Sequence, residues 1–322
     1  MIRKAVLIGL STLLIGVILY VFLGGQRAAA PPMMTLAAVE EPPPHPPPDA
    51  GAQTSNEALR QGIASLAKAD STRYSIYICY PKEDRPAYIY QPAAMRSASM
   101  IKVFILGAAM EKIRDGQFSL DQTIILHAQD KVGGAGVLTH YADGSELSLD
   151  TLLRLMITES DNTATNIVID LLGMESINDY IRRGGYADTV LQRKMMDMDA
   201  VFAGRENYTS APDLGHFFQK LYHHTCVSRA LDEHMLAYLK EQSDTECFPT
   251  ALPEATIAHK TGELTRLYDD GGIIYMQNRD FIMIGMTENY TSRSRAIDTL
   301  RRMVRCASVR PAAGARIQLV SP

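Results

Sequence analysis

Ser99 and Lys102 stand three residues apart at the head of an apolar run, Val103 to Met110. On a helix, side chains at that spacing share a face, which brings the lysine amine within reach of the serine hydroxyl. A serine is a weak nucleophile at its own pKa, and a lysine stripped of water can take its proton. Two further groups carry comparable chemistry. Ser160-Asp161-Asn162 precedes a second apolar-faced stretch, and Lys260-Thr261-Gly262 closes a short β-type run, Ile257 to His259. Taken singly, each has a plainer reading. Ser99 reads as a helix N-cap, Ser160 to Asn162 as another cap, and Lys260 to Gly262 as an ordinary strand end.

The elements that must position these residues follow from periodicity and turn chemistry. Thr54-Ser55-Asn56-Glu57 is a capping-box pattern ahead of Leu59, Ile63 and Leu66. Tyr74 to Tyr80 and Ala87 to Tyr90 read as a hairpin. The Ser99 helix comes next and ends at Asp115-Gly116, followed by a flexible loop at Gly133 to Gly136 and a helix from Leu149 to Thr158. Another helix runs from Thr163 to Leu172, where Gly173 stops it. After Lys260-Thr261-Gly262 a polar turn leads to strands at Gly272 to Met276 and Phe281 to Met286, and a closing helix spans Arg293 to Arg305.

In this order, Ser-x-x-Lys, Ser-Asp-Asn and Lys-Thr-Gly are the motif set of class A β-lactamases and penicillin-binding proteins. From about Thr54 to Arg305 the chain resembles the class A β-lactamase family, including the run Ser160 to Asn166. The resemblance implies an α/β (α+β) fold, a mixed, mainly antiparallel sheet flanked by helices with an inserted all-helical lobe and the site between the lobes. It implies that Ser99 attacks the carbonyl of a β-lactam or of a D-alanyl peptide, with Lys102 taking or relaying its proton. Ser160 then protonates the leaving nitrogen in the field of Lys260. The oxyanion donors are the backbone N–H groups of Ser99 and Glu263. Asn162 meets the substrate's side-chain amide, and Lys260, Thr261 and Gly262, with Arg266, bind its carboxylate end.

The chain departs from the family where an arginine is followed, two residues on, by the glutamate that holds the deacylating water. Arg193 fits the arginine, but Met195 stands where the glutamate is expected. A thioether cannot take a proton from water, so the acyl-enzyme should form and then persist unless Asp197 or Asp199 reaches in. Three functions follow: a slow β-lactamase-type hydrolase, a D,D-peptidase that β-lactams trap, or a non-hydrolytic sensor. The hydrolase leads.

Composition narrows the class. A net charge of −4, no Trp and no basic run beyond the first residues exclude a nucleic-acid binder. Arg3-Lys4 precede an apolar stretch from Ala5 to Gly25, long enough to span a bilayer. A cleaved signal peptide with Ala28-Ala29-Ala30 as its cleavage site is the competing reading. Either one exports the domain. The expected organisation is an anchor or signal at 1–25, a Pro-rich spacer at 26–53, the hydrolase domain at 54–306 and a loose tail at 307–322, as a monomer. The four Cys suit an oxidising compartment, with Cys226 paired to Cys247 and Cys79 to Cys306 as the expected bridges, against buried free thiols as the alternative. The scattered His residues imply no metal site and no cofactor.

Overall fold

The computed structural model describes residues 50–309, with side chains from Glu57 onward. The apolar stretch Ala5 to Gly25 therefore lies outside the described residues. Among those described, no helix is long and apolar enough to cross a membrane. The first helix, α1 (Ala50–Ala67), already runs through Thr54 to Glu57, so that pattern is not its start. Its Leu59, Ile63, Leu66 and Ala67 are buried, the spacing of one helical face.

Strands β1 (Arg73–Cys79) and β2 (Tyr88–Tyr90) form the expected hairpin. A short strand, β3 (Met95–Arg96), and a 3₁₀ turn at Ala98–Ile101 lead into α2 (Lys102–Arg114). Then come β4 (Thr123–Ile125), β5 (Glu146–Ser148), α3 (Leu149–Thr158), α4 (Asn162–Leu172) and α5 (Met174–Arg183). Past a long loop carrying α6 (Met198–Phe202) and β6 (Tyr208–Thr209) lie α7 (Ala211–Tyr222), α8 (Arg229–Lys240) and α9 (Phe248–Ala251). The chain closes with β7 (Thr256–Leu264), β8 (Leu267–Tyr275), β9 (Phe281–Glu288) and α10 (Arg293–Ser308).

The main sheet is five-stranded in the order β2-β1-β9-β8-β7, and every neighbouring pair is antiparallel. Because strand side chains alternate, each strand feeds two cores. Tyr74, Ile76, Phe281 and Met283 face one layer, where they meet Ile63 of α1 and Leu300 and Val304 of α10. Tyr77, Ile282, Ile284 and Met286 face the other, against Phe104 of α2 and Phe217 of α7. This second layer is continuous with the inserted helical lobe, and α2 is its axis. Every residue from Lys102 to Met110 is buried, the mark of a helix packed on all sides.

Three expectations are corrected. First, all four cysteines are free. The sheet separates the expected partners: Cys79 belongs to the helical-lobe core and Cys306 packs on the opposite one, as Cys226 and Cys247 do in turn. Instead, Gln219 Nε2 donates to Cys79 Sγ at 2.8 Å, and Cys226 Sγ lies 3.3 Å from the Tyr180 hydroxyl. Secondly, the polar segment after Lys260-Thr261-Gly262 is mostly strand. Only Thr265 and Arg266 form the turn, and Asp269 and Asp270 are fully buried inside β8. Asp270 is tolerated there because His259 Nδ1 sits 2.7 Å from one oxygen and the Phe248 N–H donates to the other. Thirdly, α10 continues past Arg305 to Ser308 with Ala307 buried, its carbonyl accepting from the Tyr80 hydroxyl.

Candidate active site

Ser99 lies in the 3₁₀ turn just ahead of α2, partly exposed between buried neighbours. The turn is fixed from both sides. Ala98 adopts φ +42°, and the Ser97 N–H donates to the Asn207 carbonyl. Edge strand β7 runs along it, with Gly262 close against Ala98 and Met100.

Lys102, the first residue of α2, is 0% exposed. Its amine is not bonded to Ser99. It donates to the Ser160 carbonyl at 2.6 Å, to Ser160 Oγ at 3.1 Å and to Asn162 Oδ1 at 3.0 Å. Burial, followed by the charge of Lys260, holds this amine well below the ordinary lysine range, while Asp161 pulls the other way.

Lys260, also 0% exposed, points from β7 toward the helical lobe. Its amine donates to Ser160 Oγ at 3.1 Å and to the Thr261 carbonyl at 2.8 Å. Burial lowers it to about 7, partly offset by Asp244 and Asp270. One serine hydroxyl is thus shared by two buried amines from different lobes.

Asp161 builds the junction that makes this sharing feasible. Its carboxylate caps α4 by accepting from the Ala164 N–H, and it also accepts from the N–H groups of Val137 and Leu138. The cap reading of Ser160-Asp161-Asn162 holds, and the same cap sets Ser160 and Asn162 against the Lys102 amine. Ser160 itself adopts φ +51°, a strained conformation for a residue with a Cβ. Gly136, at φ +117°, lets its backbone lie against the Asp161 carboxylate, where a side chain would collide. Asn162 is nearly buried and already engaged, accepting from Lys102 and donating through Nδ2 to the Gly133 carbonyl.

Two anticipated groups lie elsewhere. Arg266 sits in the two-residue turn at φ +59° and spends its guanidinium on the Tyr290 and Asn289 carbonyls. Its guanidinium is therefore already engaged by backbone just past β9. Asp197 caps α6, its Oδ1 accepting from the Ala200 N–H, and borders a cavity of about 260 Å³ shared with Asn166, Met195 and Met196. Glu263 carries its side chain outward into an ion pair with Arg293, Oε1 to Nε 2.7 Å. Thr261 is buried on β7 beside Lys260.

The loop bearing Met195 is strapped by the side chains of Asn166, Asn207, Arg193 and Glu206. Asn166 accepts from the Met195 N–H at 2.8 Å and donates to the Met195 carbonyl at 3.0 Å. Asn207 accepts from the N–H groups of Gln192 and Arg193 and donates back to the Arg193 carbonyl. Arg193 pairs with Glu206, Nε to Oε1 2.8 Å. A buried asparagine in the middle of an apolar helix was the legible signal for Asn166, since asparagine is a poor helix former that needs partners. The Met195 side chain is 7% exposed and belongs to the lobe's core.

A family model described as the beta-lactamase enzyme family matches residues 58–308. The β-lactamase VEB-1 of Pseudomonas aeruginosa is 22% identical over 249 residues, covering 73% of this chain and 83% of that one. A β-lactamase of Rhodobacter capsulatus is 31% identical over 162 residues, 50% of this chain and 55% of its own. The solved β-lactamase of Sphaerobacter thermophilus superposes with a TM-score of 0.71 at 29% identity, over 78% of this chain and 95% of that one. A variant of PBP-A, solved as an acyl-enzyme complex with penicillin G, shares the fold with a TM-score of 0.71 at 24% identity, over 78% and 94%.

Proposed function

The chain belongs to the beta-lactamase enzyme family, and on that premise we propose that it opens β-lactam rings through an acyl-enzyme on Ser99. The observation that carries this reading is the Ser160 hydroxyl, 3.1 Å from the amine of Lys102 and 3.1 Å from that of Lys260. Ser99 Oγ attacks the lactam carbonyl, and its proton passes to Lys102, whose charged form burial disfavours. In its neutral form the lysine keeps two N–H donors for the Ser160 carbonyl and Asn162 Oδ1, and its contact with Ser160 Oγ then runs the other way, the hydroxyl donating to the amine's lone pair. When the C–N bond breaks, the nitrogen takes its proton from Ser160, which Lys102 replenishes. The oxyanion is met by the N–H groups of Ser99 and Glu263. Lys260 and Thr261 receive the substrate's carboxylate, without Arg266. Water then cleaves the ester and returns Ser99.

That last step is the slow one. Met195 is buried and has no proton-accepting group, and Asp197 already caps a helix. The same observation favours a second reading, a D,D-peptidase of exported cell-wall chemistry that β-lactams acylate and trap. The purified chain mixed with a chromogenic lactam tests both, with colour and intact mass followed together. A one-to-one adduct that decays with slow turnover, both lost in Ser99→Ala, supports the hydrolase. An adduct that does not decay supports the peptidase. The absence of both adduct and colour change overturns both.

A further inference from the structure

We propose that the cavity at the far end of β7 from Lys260 is a binding site for a short saccharide. It is lined by Glu254, Thr256, Gln277, Asn278, Arg279 and Ser308, where β7 begins, β8 turns into β9 and α10 ends. At about 670 Å³ it has the size of a small-molecule pocket. Thr256 precedes Lys260 by four residues, or about 13 Å along the strand. The two ends of β7 therefore serve different cavities, and the proposal does not depend on the acyl-enzyme reading.

The walls of this cavity are fixed. Thr256 pairs with Tyr275 across the β7–β8 ladder, and Tyr275 stacks on Tyr222 with ring centroids 6.1 Å apart. Arg279 lies over the Tyr80 ring, 3.5 Å from its centroid, and donates through Nε and Nη2 to the two oxygens of Glu83. Asp280 accepts from the Tyr222 hydroxyl and pairs with Lys82, each at 2.8 Å. The β8–β9 turn is thus anchored on one side by these two residues and on the other by Tyr275. Between the anchors, Gln277 and Asn278 are exposed. Among the described residues, the side chains of Glu254, Thr256, Gln277 and Asn278 have no hydrogen-bond or ion-pair partner. A tethered turn that presents unengaged polar groups is organised in advance for a ligand, which lowers the ordering cost of binding one.

The chemistry of the lining selects a neutral, hydroxyl-rich molecule. The carboxamides of Gln277 and Asn278 each offer two N–H donors and a carbonyl acceptor, and the Thr256 hydroxyl acts in either sense. Ser308 gives its proton to the Arg305 carbonyl and still accepts. A sugar hydroxyl, which donates once and accepts twice, matches such groups in both directions. Tyr275 and Met276 add apolar surface for the C–H side of a sugar ring. Other ligand classes fit less well. Glu254 and Arg279 carry opposite charges, so no net charge is favoured, and a phosphate or carboxylate finds the fork of Arg279 already taken by Glu83. A wholly apolar ligand would strip water from these polar groups and return no hydrogen bonds.

Calorimetric titration of the purified chain with two saccharides tests the site: chitotetraose, built of N-acetylated amino sugars, and maltotetraose, built of plain glucose. Binding of at least one is expected, and the preference between them tells an amino-sugar polymer from a glucan. The double variant Gln277→Ala, Asn278→Ala is expected to bind about tenfold more weakly, the scale of two lost hydrogen bonds. Thr256→Arg, which fills the cavity with a longer side chain, is expected to abolish binding. All three positions are exposed, so the variants should melt with the wild type. Their rate of acylation by a lactam should also be unchanged, which separates this site from the one around Ser99. A chain that binds neither saccharide at millimolar concentration overturns the proposal. So does binding that both variants leave intact, and neither result bears on the acyl-enzyme reading.

Discussion

At the scale of single residues, the proposed acylation of Ser99 makes the fate of the resulting ester the decisive question. Three motifs legible in the sequence converge on one hydroxyl, Ser160, although none is near another in the chain. The expected bond from Lys102 to Ser99 is replaced by bonds to Ser160 and Asn162. Motif spacing identifies which groups meet, and the loop conformation between them decides which atoms touch. Arg266 illustrates the limit. The resemblance implied a carboxylate ligand, but the two-residue turn between β7 and β8 aims its guanidinium at the Asn289 and Tyr290 carbonyls. Met195→Glu should restore a base where the thioether stands. The half-life of a lactam adduct, followed by intact mass, is expected to shorten at least tenfold, toward the 10²–10⁴ typical of general-base catalysis. An unchanged half-life would show that this position does not face the ester.

At the scale of elements, the sequence was clearest where a single force dominates. Helices α3 and α4 and the β1–β2 hairpin follow from apolar spacing and end where Gly or a cap dictates. It was least clear where polar residues are buried in pairs. Asp269 and Asp270 read as turn residues because isolated acids do not enter strands, yet His259 and two backbone N–H groups, those of Phe248 and Thr287, make them strand residues. The four-residue glycine-rich loop before α3 was read as flexible, but in the fold Asp161 pins it through the N–H groups of Val137 and Leu138. Gly136→Ala should therefore be costly. A methyl there collides with Asp161 and forces φ +117° on a residue with a Cβ. The expected loss is about 2–4 kcal/mol in a denaturant titration, with acylation slowed because the cap that orients Ser160 is displaced. A variant as stable as the wild type would mean the loop is not fixed in solution.

At the scale of the whole molecule, the active site is bought with stability. Two lysines are folded into the interior with depressed pKa values, Lys260 to about 7 and Lys102 in the same direction. An unfolded chain holds those protons up to the ordinary lysine value of 10.5. Between pH 7 and 9 the unfolded state therefore binds more protons, and stability must rise with pH. Each full proton of difference is worth about 1.4 kcal/mol per pH unit. The four thiols, Cys79, Cys226, Cys247 and Cys306, all raised from 9.0 chiefly by burial, oppose the trend as the pH approaches and passes that value. Melting temperature should climb by roughly 5 °C from pH 7 to 9. A flat or falling curve would indicate that the amines are not buried in this way.

The order of the main sheet carries a consequence for how the chain reaches this state. Strand β1 lies between β2 and β9, and Arg73 is hydrogen-bonded to Glu288, 215 residues later. The helical lobe between them is built largely from neighbours in sequence and has its own apolar interior. During synthesis that lobe can collapse early, while β1 waits beside an unfilled edge until nearly the whole domain has left the ribosome. Closing so long a loop is entropically expensive, which places folding among the slow, non-local topologies. Lys260 arrives with that final segment. Ser99 and Lys102 are then in place well before Lys260, and the pair of amines around Ser160 is among the last features of the molecule to form.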